Sequence, residues 1–325
     1  MDPKPPSSAQ GGDPLLQGTV FIRRDGAMHP FILQGPDAKT FLQGLVTADV
    51  LALRPVSWSP SCLLTPKGTL DAIMEICDTG KTLIVLVERE GAPAFDKAIS
   101  KMIPLSQSTL LDAAGGLAIV DLAGPASLEA AQTALGAALP SFPPRGGAVL
   151  SWNGGDVVVL SYPVLRPDGL RILIPQTLAD RLIHLLQSAG VAAAVGGVLE
   201  PLRIEKGVPI FGIDVDADTL PLEANLDECL SWTKGCYMGQ ETMARIKYRG
   251  RVNRRLVTLK IEGTAIPWPG TPVYAAGGEV GLTKSATYSS RLNAVLALAM
   301  IRSGSIAPNV RFRVGKSSIG QILTR

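Results

Sequence analysis

Eight consecutive residues, Lys234-Gly235-Cys236-Tyr237-Met238-Gly239-Gln240-Glu241, set one thiol between two glycines, with a cation before it and a carboxylate after it. Glycine lets the backbone approach a ligand closely or turn sharply around the sulfur. Lys234 and, about one helical turn beyond Glu241, Arg245 bring positive charge that favours the thiolate, the reactive form of cysteine. A free cysteine is more often a small buried apolar residue. The neighbours of Cys236 reverse that balance. If Gln240 opens a helix, Glu241 and Arg245 fall at i and i+4, a pair worth only about 0.2–0.5 kcal/mol.

Basic side chains follow at Arg245, Lys247, Arg249, Arg251, Arg254 and Arg255, with Tyr248 among them and no acid. Such a strip suits an anionic partner, a folate polyglutamate or RNA phosphate; a solvated, charged strand edge is the plainer alternative. Upstream, Arg203-Ile204-Glu205-Lys206-Gly207 and Leu220-Pro221-Leu222-Glu223-Ala224-Asn225 alternate polar residues with apolar anchors. A buried carboxylate and amide there match the donor and acceptor edge of a heterocycle such as a pterin, and are costly to bury otherwise. The alternative is a capped, acid-rich surface loop.

Other chemistries are absent from the sequence. His29 and His184 are far apart, and no HExxH, GxSxG, Walker or GxGxxG pattern occurs. Cys62, Cys77, Cys229 and Cys236 form no CxxC pair, which argues against a zinc ribbon or a disulfide scaffold and for reduced thiols in a cytoplasmic setting. A net charge of +3 over 325 residues is too small for a wholesale nucleic-acid binder.

The elements that must hold these groups read as mixed. With 46% apolar and 18% charged residues the chain has the composition of a folded protein of two or three domains. Residues 1–18 are rich in Pro, Gly and Ser and are expected to be a tail. Asp25-Gly26 lies between apolar runs and predicts a hairpin. Phe41, Leu42 and Leu45 predict a short helix after Pro36-Asp37. CLLTPKGTLDAIMEIC followed by KTLIVLVE predicts a meander. Residues 92–102 predict a helix, and LAIVDLAG a buried strand. GDVVVLSYPVL, the Pro167-Asp168-Gly169 turn and RILIP predict two strands before a helix capped by Thr177. A Gly196-Gly197 break follows. From Arg254 onward, short strands punctuated by Gly and Pro predict a small β-barrel. No stretch approaches the roughly 20 apolar residues of a membrane span. The expected fold class is α+β.

The run LPLEANLDECLSWTKGCYMGQETMARIKYRGRVNRRL resembles the signature of the YgfZ folate-binding family, whose hallmark is the KGCYxGQE segment. FLQGLVTADV, LLTPKG, RIEKGVPIFGID and VGLTKS support the resemblance across nearly everything beyond the tail. That family is similar to the glycine-cleavage aminomethyltransferases. The resemblance implies two intertwined N-terminal α+β domains around a folate cavity, within residues 19–250, and a C-terminal barrel over 251–325. It implies tetrahydrofolate as ligand, including polyglutamylated forms, and service in assembling or repairing iron-sulfur enzymes, those that modify tRNA among them. Client enzymes or assembly proteins would then be partners, with no membrane involved. Carried onto this chain, the motif thiol is Cys236. The expected folate contacts are Asp71, Arg203, Glu223, Asn225, Lys234, Gly235, Tyr237, Gly239, Gln240, Glu241 and Arg245. The aminomethyltransferase pattern has adjacent aspartates where this chain has Leu70-Asp71-Ala72, and a pterin-binding acid where Arg171 stands. A folate-dependent aminomethyl or one-carbon transferase is therefore the alternative reading, and an RNA-binding module a less favoured one.

Overall fold

The computed structural model of the chain describes residues 18–23, 26–164, 167–194 and 199–323. The expected tail other than Gly18, Asp25 of the expected turn, and the Gly196-Gly197 break lie outside them. The described residues form two compact units, one holding 18–194 with 227–244, the other 199–226 with 245–323.

In the first unit a five-stranded sheet runs in the order β3 (Ser57–Leu64), β4 (Leu70–Asp78), β5 (Leu83–Glu88), β2 (Met28–Gln34), β6 (Thr109–Asp112). A six-stranded sheet runs β11 (Ala192–Ala193), β1 (Val20–Arg23), β7 (Leu117–Ala123), β10 (Leu170–Pro175), β9 (Gly155–Ser161), β8 (Gly147–Trp152). The chain enters the second sheet with β1, builds the first with β2 to β6, then returns, so the two α+β halves are intertwined.

Successive strand side chains point to opposite faces, and both faces of these sheets are covered. From β5, Leu83, Val85 and Val87 join a core with Leu42 of α1 (Ala38–Gln43) and Phe95 and Ile99 of α2 (Ala92–Met102). Ile84 and Leu86 point the other way and meet Ile119, Val158, Leu160 and Leu173 of the six-stranded sheet. The outer face of that sheet packs on Ala131 and Ala134 of α3 (Ser127–Leu135) and on Leu182 and Leu186 of α4 (Gln176–Ser188).

Two local expectations are corrected. β1 and β2 do not form a hairpin: β1 pairs with β7 and β11, β2 with β5 and β6. A reversal signal sets where the chain turns, but burial sets the partner, and Phe21 and Phe31 belong to different cores. The helix expected to be capped by Thr177 begins at Gln176 behind Pro175, so Thr177 lies within its first turn. The meander is β3 to β5, and residues 92–102 are helical as expected.

In the second unit six strands close a barrel in the order β12 (Arg254–Ile261), β15 (Ala294–Arg302), β14 (Gly278–Ser289), β13 (Pro272–Ala275), β16 (Arg311–Val314), β17 (Ser318–Ile322). Leu259, Val273, Ala297 and Phe312 fill it. The short helix α5 (Glu200–Glu205) is tied to β12 by the Thr258 hydroxyl, which donates to the Ile204 carbonyl at 2.9 Å. No helix among the described residues is long and apolar enough to cross a membrane.

Candidate functional site

Two glycine-dependent contacts seat the thiol segment on the β3–β4 turn. The turn closes through Thr65, whose amide donates to the Thr69 carbonyl at 2.9 Å and whose carbonyl accepts from the Gly68 amide at 2.9 Å. Gly239 lies against it with φ +79°: a Cβ there would stand 2.8 Å from the Thr65 carbonyl oxygen and 2.9 Å from Gly68 Cα. Gly68, at φ +85°, in turn faces Thr242 near the start of α6 (Gln240–Arg249). Both positions require the left-handed region and lack room for a side chain. The structure thereby seats the Cys236 segment on the LLTPKG turn, three residues before Asp71.

Within that segment Gly235, Cys236, Met238 and Glu241 are exposed, Gln240 is half-buried and Tyr237 is buried. The Tyr237 hydroxyl is buried with no hydrogen-bond partner among the described residues. A buried donor in that condition costs about 1–3 kcal/mol unless something accepts from it.

Lys234 has a different role from the one its sequence position implies. Its ammonium donates to the carbonyls of Gln43 at 2.6 Å, Val46 at 2.5 Å and Ala48 at 2.8 Å. Burial brings its pKa down to about 8 while Asp49 draws it up, so near neutral pH the three-proton form is held, and its three donors meet three acceptors. The ammonium therefore fastens the chain after α1 rather than supplying charge to the Cys236 thiol or to a ligand. Beside it a cavity of about 310 Å³, lined by Asp49, Trp58, Glu228 and Ser231 among others, includes none of the expected folate contacts.

On β4, Asp71, Ile73, Glu75 and Cys77 share the face turned toward the six-stranded sheet. Asp71 is partly buried, and burial raises its carboxyl above the usual carboxylate range against the pull of Lys97. Ala72, next to Asp71 in the stretch that the resemblance sets against the adjacent aspartates, faces the helix side with no exposure. A Cβ on Gly91 would stand 2.7 Å from its own. A carboxylate has no space there.

Further along the Asp71 face lies a buried charged cluster. Arg171, 1% exposed, donates from Nε and Nη2 to both carboxylate oxygens of Asp121, at 2.6 and 2.7 Å, and from Nη1 to Glu75. Its guanidinium stacks on the Tyr162 ring at 3.7 Å, and the Tyr162 hydroxyl donates to Glu75 at 2.5 Å. Arg171 thus bridges the two sheets, with both ends of its fork engaged. Glu75, Asp121 and Tyr162 were not expected from the sequence as a group. The signal was present in part: an arginine in RILIP and an aspartate in LAIVDLAG are charges inside apolar strand runs, and buried charges are paired.

Arg203, Glu223 and Asn225 lie in the other unit, each with partners inside it. Arg203 is buried, donating to Glu200 at 2.9 Å, the Val208 carbonyl at 2.6 Å and Asp214 at 2.7 Å. Glu223 is buried and accepts from the Leu220 amide and Arg254 Nε, each at 3.1 Å. Asn225, expected to be a buried amide, is exposed with φ +59° and donates to the Leu256 carbonyl at 2.7 Å. These bonds brace the chain against the barrel, and the polar atoms named already have protein partners. Of the basic strip, Arg245, Lys247, Arg251 and Arg255 are exposed with Tyr248, whereas Arg254 is drawn to Glu223.

Residues 25–234 match the GCVT N-terminal domain family, and residues 254–319 match the glycine cleavage T-protein C-terminal barrel domain. An aminomethyltransferase of Synechococcus elongatus is 29% identical over 280 residues, covering 84% of this chain and 75% of that protein. One from a Nostoc species is 29% identical over 283 residues, covering 85% and 75%. The crystal structure of the glycine cleavage aminomethyltransferase T of Bartonella henselae superposes with a TM-score of 0.85 at 16% identity, covering 95% of this chain and 85% of that one. At that identity the likeness concerns the fold.

Proposed function

The chain belongs to the glycine cleavage T-protein family, and from that premise we propose that it binds tetrahydrofolate and transfers a one-carbon unit carried on it. The observation that carries this reading is Asp71, a carboxyl raised by burial on the strand that follows the turn under the Cys236 segment. A carboxyl raised toward neutral pH is suited to exchanging protons there. The unpartnered Tyr237 hydroxyl fits a ligand with acceptor atoms, as a pterin has. The relatives named aminomethyltransferase point the same way.

Tetrahydrofolate, when bound, supplies the ring nitrogen on which a one-carbon unit is carried. The Asp71 carboxylate oxygens take up and return a proton, Tyr237 Oη donates a hydrogen bond, and the glycine contacts at Gly68 and Gly239 fix the segment on which Tyr237 stands. Anaerobic calorimetric titration of the purified chain with tetrahydrofolate is expected to give saturable binding. A flat titration would overturn the reading.

A second reading keeps the ligand and makes the chain an accessory protein for cytoplasmic iron-sulfur enzymes, acting through Cys236. The favouring observation is that Cys236 is exposed while Cys62, Cys77 and Cys229 are buried. Since a cluster takes four ligands, one exposed thiol would share it with a client. In a strain lacking the protein, Cys236→Ala is expected to leave iron-sulfur enzyme activity unrestored. Full rescue by that variant would remove the thiol from the account and leave folate binding untouched.

A further inference from the structure

Two cysteines outside the exposed motif are held together in the first unit. Cys62 is on β3, 0% exposed, and Cys229 ends the single turn Asp227–Cys229, 4% exposed. Thr47, itself fully buried, fixes both backbones: its amide donates to the Cys62 carbonyl at 3.0 Å, and its hydroxyl accepts from the Cys62 amide at 2.8 Å and donates to the Cys229 carbonyl at 2.6 Å. One Thr47 hydroxyl thus lies between the two cysteine backbones, and the Cys229 side chain is the first influence that pushes the Cys62 thiol up. Neither takes part in the folate chemistry proposed above.

We propose that Cys62 and Cys229 are a redox modification site, closing to a disulfide when the protein meets a peroxide. Cys229, the less enclosed of the two, attacks one peroxide oxygen; the O–O bond breaks, and sulfur keeps a hydroxyl as sulfenic acid while hydroxide leaves and takes the thiol proton as water. Cys62 sulfur then displaces the sulfenic hydroxyl, which leaves as a second water with the Cys62 proton. Two thiols are oxidised by two electrons in total and one peroxide is reduced to two waters. Closure brings the two sulfurs to the ordinary bond length of about 2.05 Å.

The bond ties the segment 227–244, which carries Cys236, to β3. The thiols are slow to react while that segment is closed, because both are buried and the neighbouring Cys229 and burial hold Cys62 well above the usual thiol range. The site therefore answers to sustained oxidant rather than to a brief pulse.

The test uses the full chain, reduced and then exposed to hydrogen peroxide, with free thiols alkylated in denaturant and peptides mapped without reductant. The expected result is a peptide pair joined through Cys62 and Cys229, lighter by two hydrogens than its reduced parts, with Cys77, buried on β4, still alkylated as an internal control. Cys229→Ser is expected to abolish the pair, and Cys236→Ala to form it as wild type does. Full alkylation of Cys62 and Cys229 after Cys236 has been oxidised would overturn the proposal, as would a link that requires Cys236. Either result is independent of whether folate binds.

Discussion

Arg171→Ala is expected to cost about 3–5 kcal/mol of folding stability, the usual penalty for removing one partner of a buried ion pair. Two carboxylates converge on this guanidinium from different sheets, Asp121 on β7 and Glu75 on β4, with side-chain exposures of 8% and 15%. Truncation leaves both charges in the sheet interface with the fork gone, and removes a cation stacked on Tyr162. Arg171→Lys is expected to recover only part of the loss, since a lysine offers a point charge and cannot span both oxygens of Asp121. Replacing the set together, Arg171→Met with Asp121→Asn and Glu75→Gln, is expected to cost less than Arg171→Ala alone, because no charge is left buried. Urea unfolding of the four proteins checks the order. A loss under about 1 kcal/mol for Arg171→Ala, within the range of an exposed pair, would mean that water reaches the cluster.

That cluster bears on function through what it withholds. The resemblance sets Arg171 where the aminomethyltransferase pattern has a pterin-binding acid, a position whose charge would then be reversed in sign. Asp121 and Glu75 engage both ends of its fork. A folate contact made here would then differ from that pattern.

The sheets, the helix over residues 92–102 and the barrel were legible because period-two and helical runs of apolar residues report burial directly. The pairing of strands was not: Asp25-Gly26 marks a reversal, but nothing local to it says that Phe21 and Phe31 bury in different cores. Lys234 was misread for a related reason. Its acceptors are three backbone carbonyls near position 46, and backbone groups leave no mark in a sequence. Asn225 was expected to be buried because amides next to apolar anchors often are. It stands exposed at a left-handed turn position, which asparagine tolerates better than most residues. What the sequence conveyed well was the juxtaposition of glycines with chemistry, since Gly68 and Gly239 are where two segments approach too closely for a Cβ.

Asp71→Asn is expected to lower folate-dependent turnover about 10²-fold or more, the scale of a lost general acid–base group, while folding stability stays within about 0.5 kcal/mol because the change is nearly isosteric at a partly exposed site. The pH profile separates this role from a merely structural one. Burial holds the Asp71 carboxyl above the usual carboxylate range, and its carboxylate form is the one that takes up a proton. Turnover of the wild type should therefore fall as pH drops through that raised value, giving an acid limb at higher pH than an ordinary aspartate would. In Asp71→Asn the limb should vanish along with the rate, whereas a residue that only shapes the turn would lower the rate and leave the limb in place. Retention of the limb in the variant would assign the proton transfer to another group. Ala72→Asp, by contrast, should not raise turnover: the position adjoins Gly91 on the helix side of β4, and a carboxylate added there is buried in apolar core rather than presented beside Asp71.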